Sequence, residues 1–276
     1  MTIALIFVSA NETTEKVTEF LNQQFEENGH VVKSINLGRA PYRGNPEEVV
    51  KKIDQYDVIG LGSPVYHMDM LDPMLQFLKV LKRHGVNNSA KAFIYLTYSG
   101  ITTGKAFINT VKTLNNAKID VIGGMKIKAP HFHHKEDVLD IEKCKQFTKR
   151  FCDRLEQKHF DKIPFQRARS LFSPEKKRVN ILFPLVHVVG KLRELPINID
   201  ESKCKKCRKC ERECPAGAIK LNDTATIDFS KCLHCYHCVN ACPFHAIESP
   251  IHKIDQMIKI NKRIVGMENP SNNIYV

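Results

Sequence analysis

The chain has 276 residues, a formal net charge of +12 and a mean hydropathy of −0.30. That length suits one large domain or two modest ones. No apolar run reaches the length of a membrane span, and the start MTIALIFVSANETTEK lacks the basic opening of a secretory signal, so the cytoplasm is the expected compartment. The positive excess favours acidic partners. Half of it lies in residues 158–196, with 9 Lys+Arg against 3 Asp+Glu. That concentration reads as a solvated linker, and no nucleic-acid-binding module accompanies it.

Residues 3–8 form a continuous apolar run, which suits a strand buried on both faces. A polar loop, 9–14, follows. Val17, Phe20, Leu21 and Phe25 then recur at helical spacing, until Asn28-Gly29 ends the helix. Residues 31–35 read as a second strand and 46–53 as a short helix. A third strand, 57–61, is expected to break at Gly62-Ser63-Pro64. A helix over 71–82, a strand over 92–97 and a helix ending at Leu114 come next. A fifth strand spans 119–127, and a long final helix is expected over 135–157. Strands alternating with helices imply an α/β doubly wound parallel five-stranded sheet. Ligands of such sheets sit at the carboxyl ends of the strands, here loops 9–14, 62–70 and 98–104.

The segment 158–196 reads as a basic linker with a short apolar stretch around Phe183, Leu185, Val186 and Val188. It could pack between domains or on a second subunit.

Two cysteine runs dominate the rest. Cys204, Cys207, Cys210 and Cys214 precede Pro215; Cys232, Cys235, Cys238 and Cys242 precede Pro243. Each run is C-x₂-C-x₂-C-x₃-C-P, the bacterial spacing for paired [4Fe–4S] clusters. Three thiolates in a tight loop meet three irons of one cubane, and the fourth serves the other cluster. The expected ligand sets are therefore Cys204, Cys207, Cys210 and Cys242 for cluster 1, and Cys232, Cys235, Cys238 and Cys214 for cluster 2. Structural zinc prefers two separated pairs of ligands, and disulfides suit small secreted domains. Neither matches a third cysteine at the same spacing.

Residues 197–249 resemble a bacterial-type two-[4Fe–4S] ferredoxin, a small α+β domain, with an internal repeat in CPAGAIKL against CPFHAIES. The N-terminal loops resemble those of flavodoxin. Ser9, Ala10, Asn11, Glu12, Thr13 and Thr14 stand in place of the phosphate loop S/T-x-T-G-x-T, with Glu12 where the family has glycine. Ser63, Pro64, Val65, Tyr66 and His67, following Gly62, resemble the second flavin loop. Thr97, Tyr98, Ser99 and Gly100 resemble the third. The resemblance implies FMN binding, with Tyr66 or Tyr98 against the isoalloxazine. The whole layout resembles the flavodoxin–ferredoxin fusion proteins of anaerobes: an FMN domain at 1–157, the linker, the ferredoxin domain at 197–249 and a tail at 250–276. It implies an electron carrier or oxidoreductase relaying electrons between two [4Fe–4S] clusters and FMN, to or from a redox partner protein, possibly as a homodimer. A second reading stays open. The N-terminal domain would dock a partner, such as a metalloenzyme needing reductive activation, without binding flavin.

His131, His133 and His134 cluster after the fifth strand. They read as solvated loop residues, with a metal site or a flavin edge as the sharper alternatives. Cys144 and Cys152 fall on an apolar helical stripe and read as small buried hydrophobes. His234, Tyr236 and His237, between cluster ligands, read as surface positions, with tuning of the cluster as the alternative.

Overall fold

A computed structural model describes residues 1–86, 90–100, 102–129, 139–158, 160–172, 194–265 and 274–276. The first strand, β1 (Thr2–Phe7), is apolar throughout because it is covered on both sides. Successive strand side chains point to opposite faces. Ile3, Leu5 and Phe7 accordingly enter one core, and Ala4 and Ile6 the other. The helix α1 (Thr13–Glu27) lays Val17, Leu21 and Phe25 on the first face. Next come β2 (Val31–Asn36), α2 (Pro46–Val50), β3 (Val58–Tyr66), β4 (Asp69–Met70), α3 (Asp72–His84) and β5 (Lys91–Tyr98). They are followed by α4 (Ala106–Asn116), β6 (Asp120–Lys128), α5 (Ile141–Glu156) and α6 (Phe165–Phe172).

Five strands run parallel in the order β2-β1-β3-β5-β6. This is the flavodoxin-like order of doubly wound sheets. α1 and α5 cover the Ile3 face; α2, α3, α4 and α6 cover the other. Ile163 and Ala168, beyond position 157, belong to that second core.

The third strand is longer than expected. It runs through Gly62-Ser63-Pro64 to Tyr66, turns at His67-Met68 and pairs antiparallel with β4. Proline is tolerated there because β1 stops pairing with β3 at Gly62, while Pro64 stands opposite Thr97 of β5 alone. Gly62 is needed for space. A Cβ there would lie 2.2 Å from the ring of buried Tyr95. The helix expected from 135 begins at Ile141, where the Asp140 carboxylate accepts the Lys143 N–H at 3.3 Å. The three clustered histidines and the apolar stretch of the linker lie outside the described residues.

The cysteine-rich part holds β7 (Asn198–Ile199), α7 (Lys209–Glu213), β8 (Ile219–Leu221), β9 (Ala225–Ile227), α8 (His237–Ala241), β10 (Ile247–Glu248) and α9 (Ile254–Val265). β7 pairs with β10 and β8 with β9, both antiparallel. The internal repeat extends to the backbone. Positive φ occurs at Lys206, Arg208 and Gly217 of the first half, and at the equivalent His234, Tyr236 and His245 of the second. Non-glycine residues rarely adopt that conformation, and here it recurs at the same places of both cysteine loops. The chain then returns to the first domain. β11 (Ile274–Tyr275) pairs antiparallel with the edge strand β6. Among the described residues no helix is long and apolar enough to cross a membrane.

Candidate functional site

The eight motif cysteines gather around two hollows. Cys204, Cys207, Cys210 and Cys242 line one; Cys214, Cys232, Cys235 and Cys238 line the other. Each hollow thus receives three thiols from one motif and the last thiol of the other. The two crossing cysteines are held alike. Cys214 Sγ accepts the Ala218 N–H and Cys242 Sγ the Ala246 N–H, both at 3.3 Å. Burial pushes the Cys235 thiol up to about 12 and raises Cys210, Cys232 and Cys238 as well. Such thiols ionise when a metal's charge stands against them. Among the described residues no three Cys, His, Asp or Glu side chains converge as a single ion would require. A cubane makes no such demand, since each of its four thiolates meets a different iron. Four soft sulfur donors around each hollow fit an iron–sulfur cluster.

The loops at the carboxyl ends of β1, β3 and β5 form the second part of the site. Ser9 and Asn11 are half-buried, Ala10 and Thr13 are buried, and Ser9 Oγ accepts the Glu15 N–H at 3.3 Å. Thr14 is fully buried, and its hydroxyl is bonded to that of Thr97 at 2.8 Å. These two hydroxyls tie the first loop to the third. Ser63 is also fully buried; its hydroxyl donates to the Pro64 carbonyl and accepts the Leu71 N–H. It holds the second loop closed. Pro64 is buried, Val65 and Tyr66 are half-buried, and His67 is exposed. Tyr98 and Gly100 are buried and Ser99 is half-buried.

Glu12 adopts φ 67° and leaves its side chain exposed. The backbone therefore makes the turn that glycine makes in the resembled motif, with the carboxylate directed outward. The N-cap residue Glu12 makes no side-chain cap on α1, and Ser9 Oγ takes only the Glu15 N–H of the first turn. The first N–H groups of the helix have no intrahelical partners, and they present the positive end of the helix dipole to the loop. A helix start whose N-cap residue supplies no side-chain oxygen, beside Ser9, Asn11 and Thr13, fits a phosphate group.

The cysteine-rich domain sits on these loops. Cys235 and Leu233 pack on the apolar core that contains Ala10, Leu37, Tyr42 and Tyr66. Burial raises the Tyr66 phenol, with Cys235 and Tyr236 beside it. His237 lies 3.5 Å from Glu213 and within electrostatic reach of Glu12. Burial lowers the His237 pKa, and Glu213 opposes that shift. Tyr236 and His237 are buried, not surface residues. In this half of the repeat the outward-facing positions are covered by the neighbouring domain and by residues 194–197. Tyr236 Oη accepts the Leu195 N–H at 2.8 Å, and His234 is half-buried 3.2 Å from Glu194.

The loop after β2 contributes residues that no flavin motif marks. Arg43 Nη1 donates to the carbonyls of Glu211, Arg212 and Cys214 at 3.0, 3.2 and 2.9 Å. Arg39 forms an ion pair with Glu213. Gly38 packs against Pro215, where a Cβ would come within 3.0 Å. Two arginines four apart, in a short loop at the carboxyl edge of the sheet, were the available signal.

A family model described as a 4Fe-4S dicluster domain matches residues 203–246. No curated protein matches the chain. Among solved structures, an oxidised flavodoxin 1 from Bacillus cereus is 21% identical at a TM-score of 0.44, over 58% of this chain and 100% of that one. A flavodoxin from the domain Archaea is 15% identical at 0.43, over 56% and 99%. The rubredoxin oxygen:oxidoreductase of Desulfovibrio gigas is 19% identical at 0.44, over 57% of this chain and only 36% of that one. The fold assignment rests on the strand order itself.

Proposed function

We propose that this chain, a flavodoxin-like domain joined to a ferredoxin domain with two [4Fe–4S] clusters, relays electrons between those clusters and an FMN held by the loops of its sheet. The observation that carries this reading is the packing of Cys235, a cluster ligand, into the same apolar core as Tyr66 of the second loop. The start of α1 with Ser9, Asn11 and Thr13 would hold the phosphate. Tyr66, Tyr98, Ser99 and Gly100 would flank the ring. Bound FMN exchanges one or two electrons where each cluster exchanges one. The chain's own part is to hold the centres close, to exclude water with Tyr66, Tyr236 and Leu233, and to fix the domains through Arg39 and Arg43. Tethering raises the effective concentration of one centre at the other.

The test is iron and flavin content of one anaerobically purified sample. About eight irons and one FMN per chain are expected. Eight irons with no flavin, even after incubation with FMN, would overturn the flavin half of the proposal. That result would favour the second reading, in which the N-terminal domain docks a metalloenzyme for reductive activation. The Thr14–Thr97 hydrogen bond speaks for it, because it occupies two hydroxyls otherwise available to a ligand.

A further inference from the structure

The two cluster loops are equivalent by repeat but face different surroundings. Around the inner cluster the residues between ligands are Leu233, His234, Tyr236 and His237, half-buried or buried against the rest of the chain. Around the outer cluster the equivalent residues are Lys205, Lys206, Arg208 and Lys209, all exposed. Cys207 between them is exposed too. Arg208 pairs with Glu211 at 3.2 Å. Lys205, Lys206 and Lys209 form no ion pair among the described residues. The repeat differs at one more place. Ala216 lines the inner hollow; its equivalent Phe244 lines the outer one and is 43% exposed.

Four cations around an exposed aromatic residue form a small apolar centre with a charged rim, the anatomy of a protein interface. Apart from Arg208 the cations compensate no acidic neighbour among the described residues, and they ring a cluster edge that the described residues leave open. We infer that this face is the docking surface for an acidic, one-electron redox protein, and that the outer cluster is the port through which electrons enter or leave. A protein fits better than nucleic acid, since a strand-binding groove interleaves several stacking rings with its cations, and here a single ring lies beside a redox centre. The inference rests on the dicluster and is independent of flavin binding.

The test uses the cluster-loaded full chain and a reduced, acidic plant-type [2Fe–2S] ferredoxin as probe. One electron leaves the probe's iron pair and is taken up by the clusters of this chain. Its second-order rate is followed by stopped flow from low to high salt. In K205Q/K206Q/R208Q/K209Q the low-salt rate should fall about tenfold or more, with a flattened salt dependence. The control K33Q/K52Q/K79Q/K112Q makes the same charge change at exposed positions of the flavodoxin-like domain, and should keep most of the wild-type rate. Equal losses in both variants, or a wild-type rate indifferent to salt, would overturn the inference. So would an unchanged rate in a variant that has lost binding to anionic vesicles or RNA. Cluster loss is read separately, as bleaching and reduced iron content. If the fourfold variant loses iron, K205Q/K206Q and K209Q each carry the same test with a smaller expected fall.

Discussion

Arg43→Ala should loosen the ferredoxin domain from the sheet without unfolding either domain. Nη1 carries two hydrogens, so its three carbonyl partners share two N–H bonds. A hydrogen bond from a charged group contributes about 1.5–3 kcal/mol. The site is half-buried, so the lower end applies, about 3 kcal/mol for the pair. Removing the guanidinium also leaves the end of α7 without its partner for the last carbonyls. The Arg39–Glu213 ion pair stays, so docking weakens and is not abolished. An opened form should become roughly 100-fold more populated. Native-state hydrogen exchange of cluster-loaded protein, read by mass spectrometry on peptides covering 38–44 and 209–217, measures this directly. Arg43→Lys should fall between wild type and alanine, because an ammonium keeps the charge and loses the planar fork. Exchange in Arg43→Ala within twofold of wild type would refute the reasoning and leave the docking to the Arg39–Glu213 pair and apolar contact.

Gly62→Ala should lower the melting temperature, since the new methyl meets the Tyr95 ring, which is fully buried and bonded to Thr18 at 2.9 Å. Overpacking of that kind costs about 1–3 kcal/mol, and an unchanged calorimetric transition would mean that the sheet shifts freely. Cys207→Ser should reduce iron from about eight to about four per chain while the far-ultraviolet circular dichroism of the sheet domain persists; loss of all structure would contradict separate domains. Burial pushes Cys144 up to about 12 and Cys152 up to about 11, so both stay protonated near neutrality and inert; iodoacetamide should label them only after denaturation. Glu12→Gly should change FMN affinity little in a fluorescence titration, because the carboxylate is already exposed and directed outward; a several-fold tightening would place that carboxylate beside the phosphate.

The parts legible in the sequence were those set by short-range pattern. Residues 3–8 could only be a doubly covered strand, and the cysteine spacing carried its own chemistry. Pro64 misled because proline ends a strand only where the N–H it lacks is needed for pairing, and β1 has already withdrawn from β3 at that point. His237 and Tyr236 misled in a different way. The repeat makes them equivalent to Lys209 and Arg208, which are exposed, and nothing in the local pattern tells which half of a repeat meets another domain. The composition hinted at it: the inner loop lacks lysine and arginine and the outer loop carries four. Arg43 gave only the weak signal of its spacing from Arg39, because its partners are backbone carbonyls far along the chain.

That difference in charge follows from how the halves are used. A duplicated ferredoxin begins with two interchangeable edges. Once one edge lies on the loops of a sheet domain, lysines there would be desolvated without partners, a cost of several kcal/mol for each buried charge. Neutral residues with a hydrogen-bonding end, such as Tyr236 bonded to Leu195 and His237 near Glu213, can be buried there. The opposite edge meets no such constraint and keeps its cations in water. Sequence asymmetry between the halves therefore reports orientation, and it places the inner cluster, built on Cys214, Cys232, Cys235 and Cys238, between the loops of the sheet and the outer cluster.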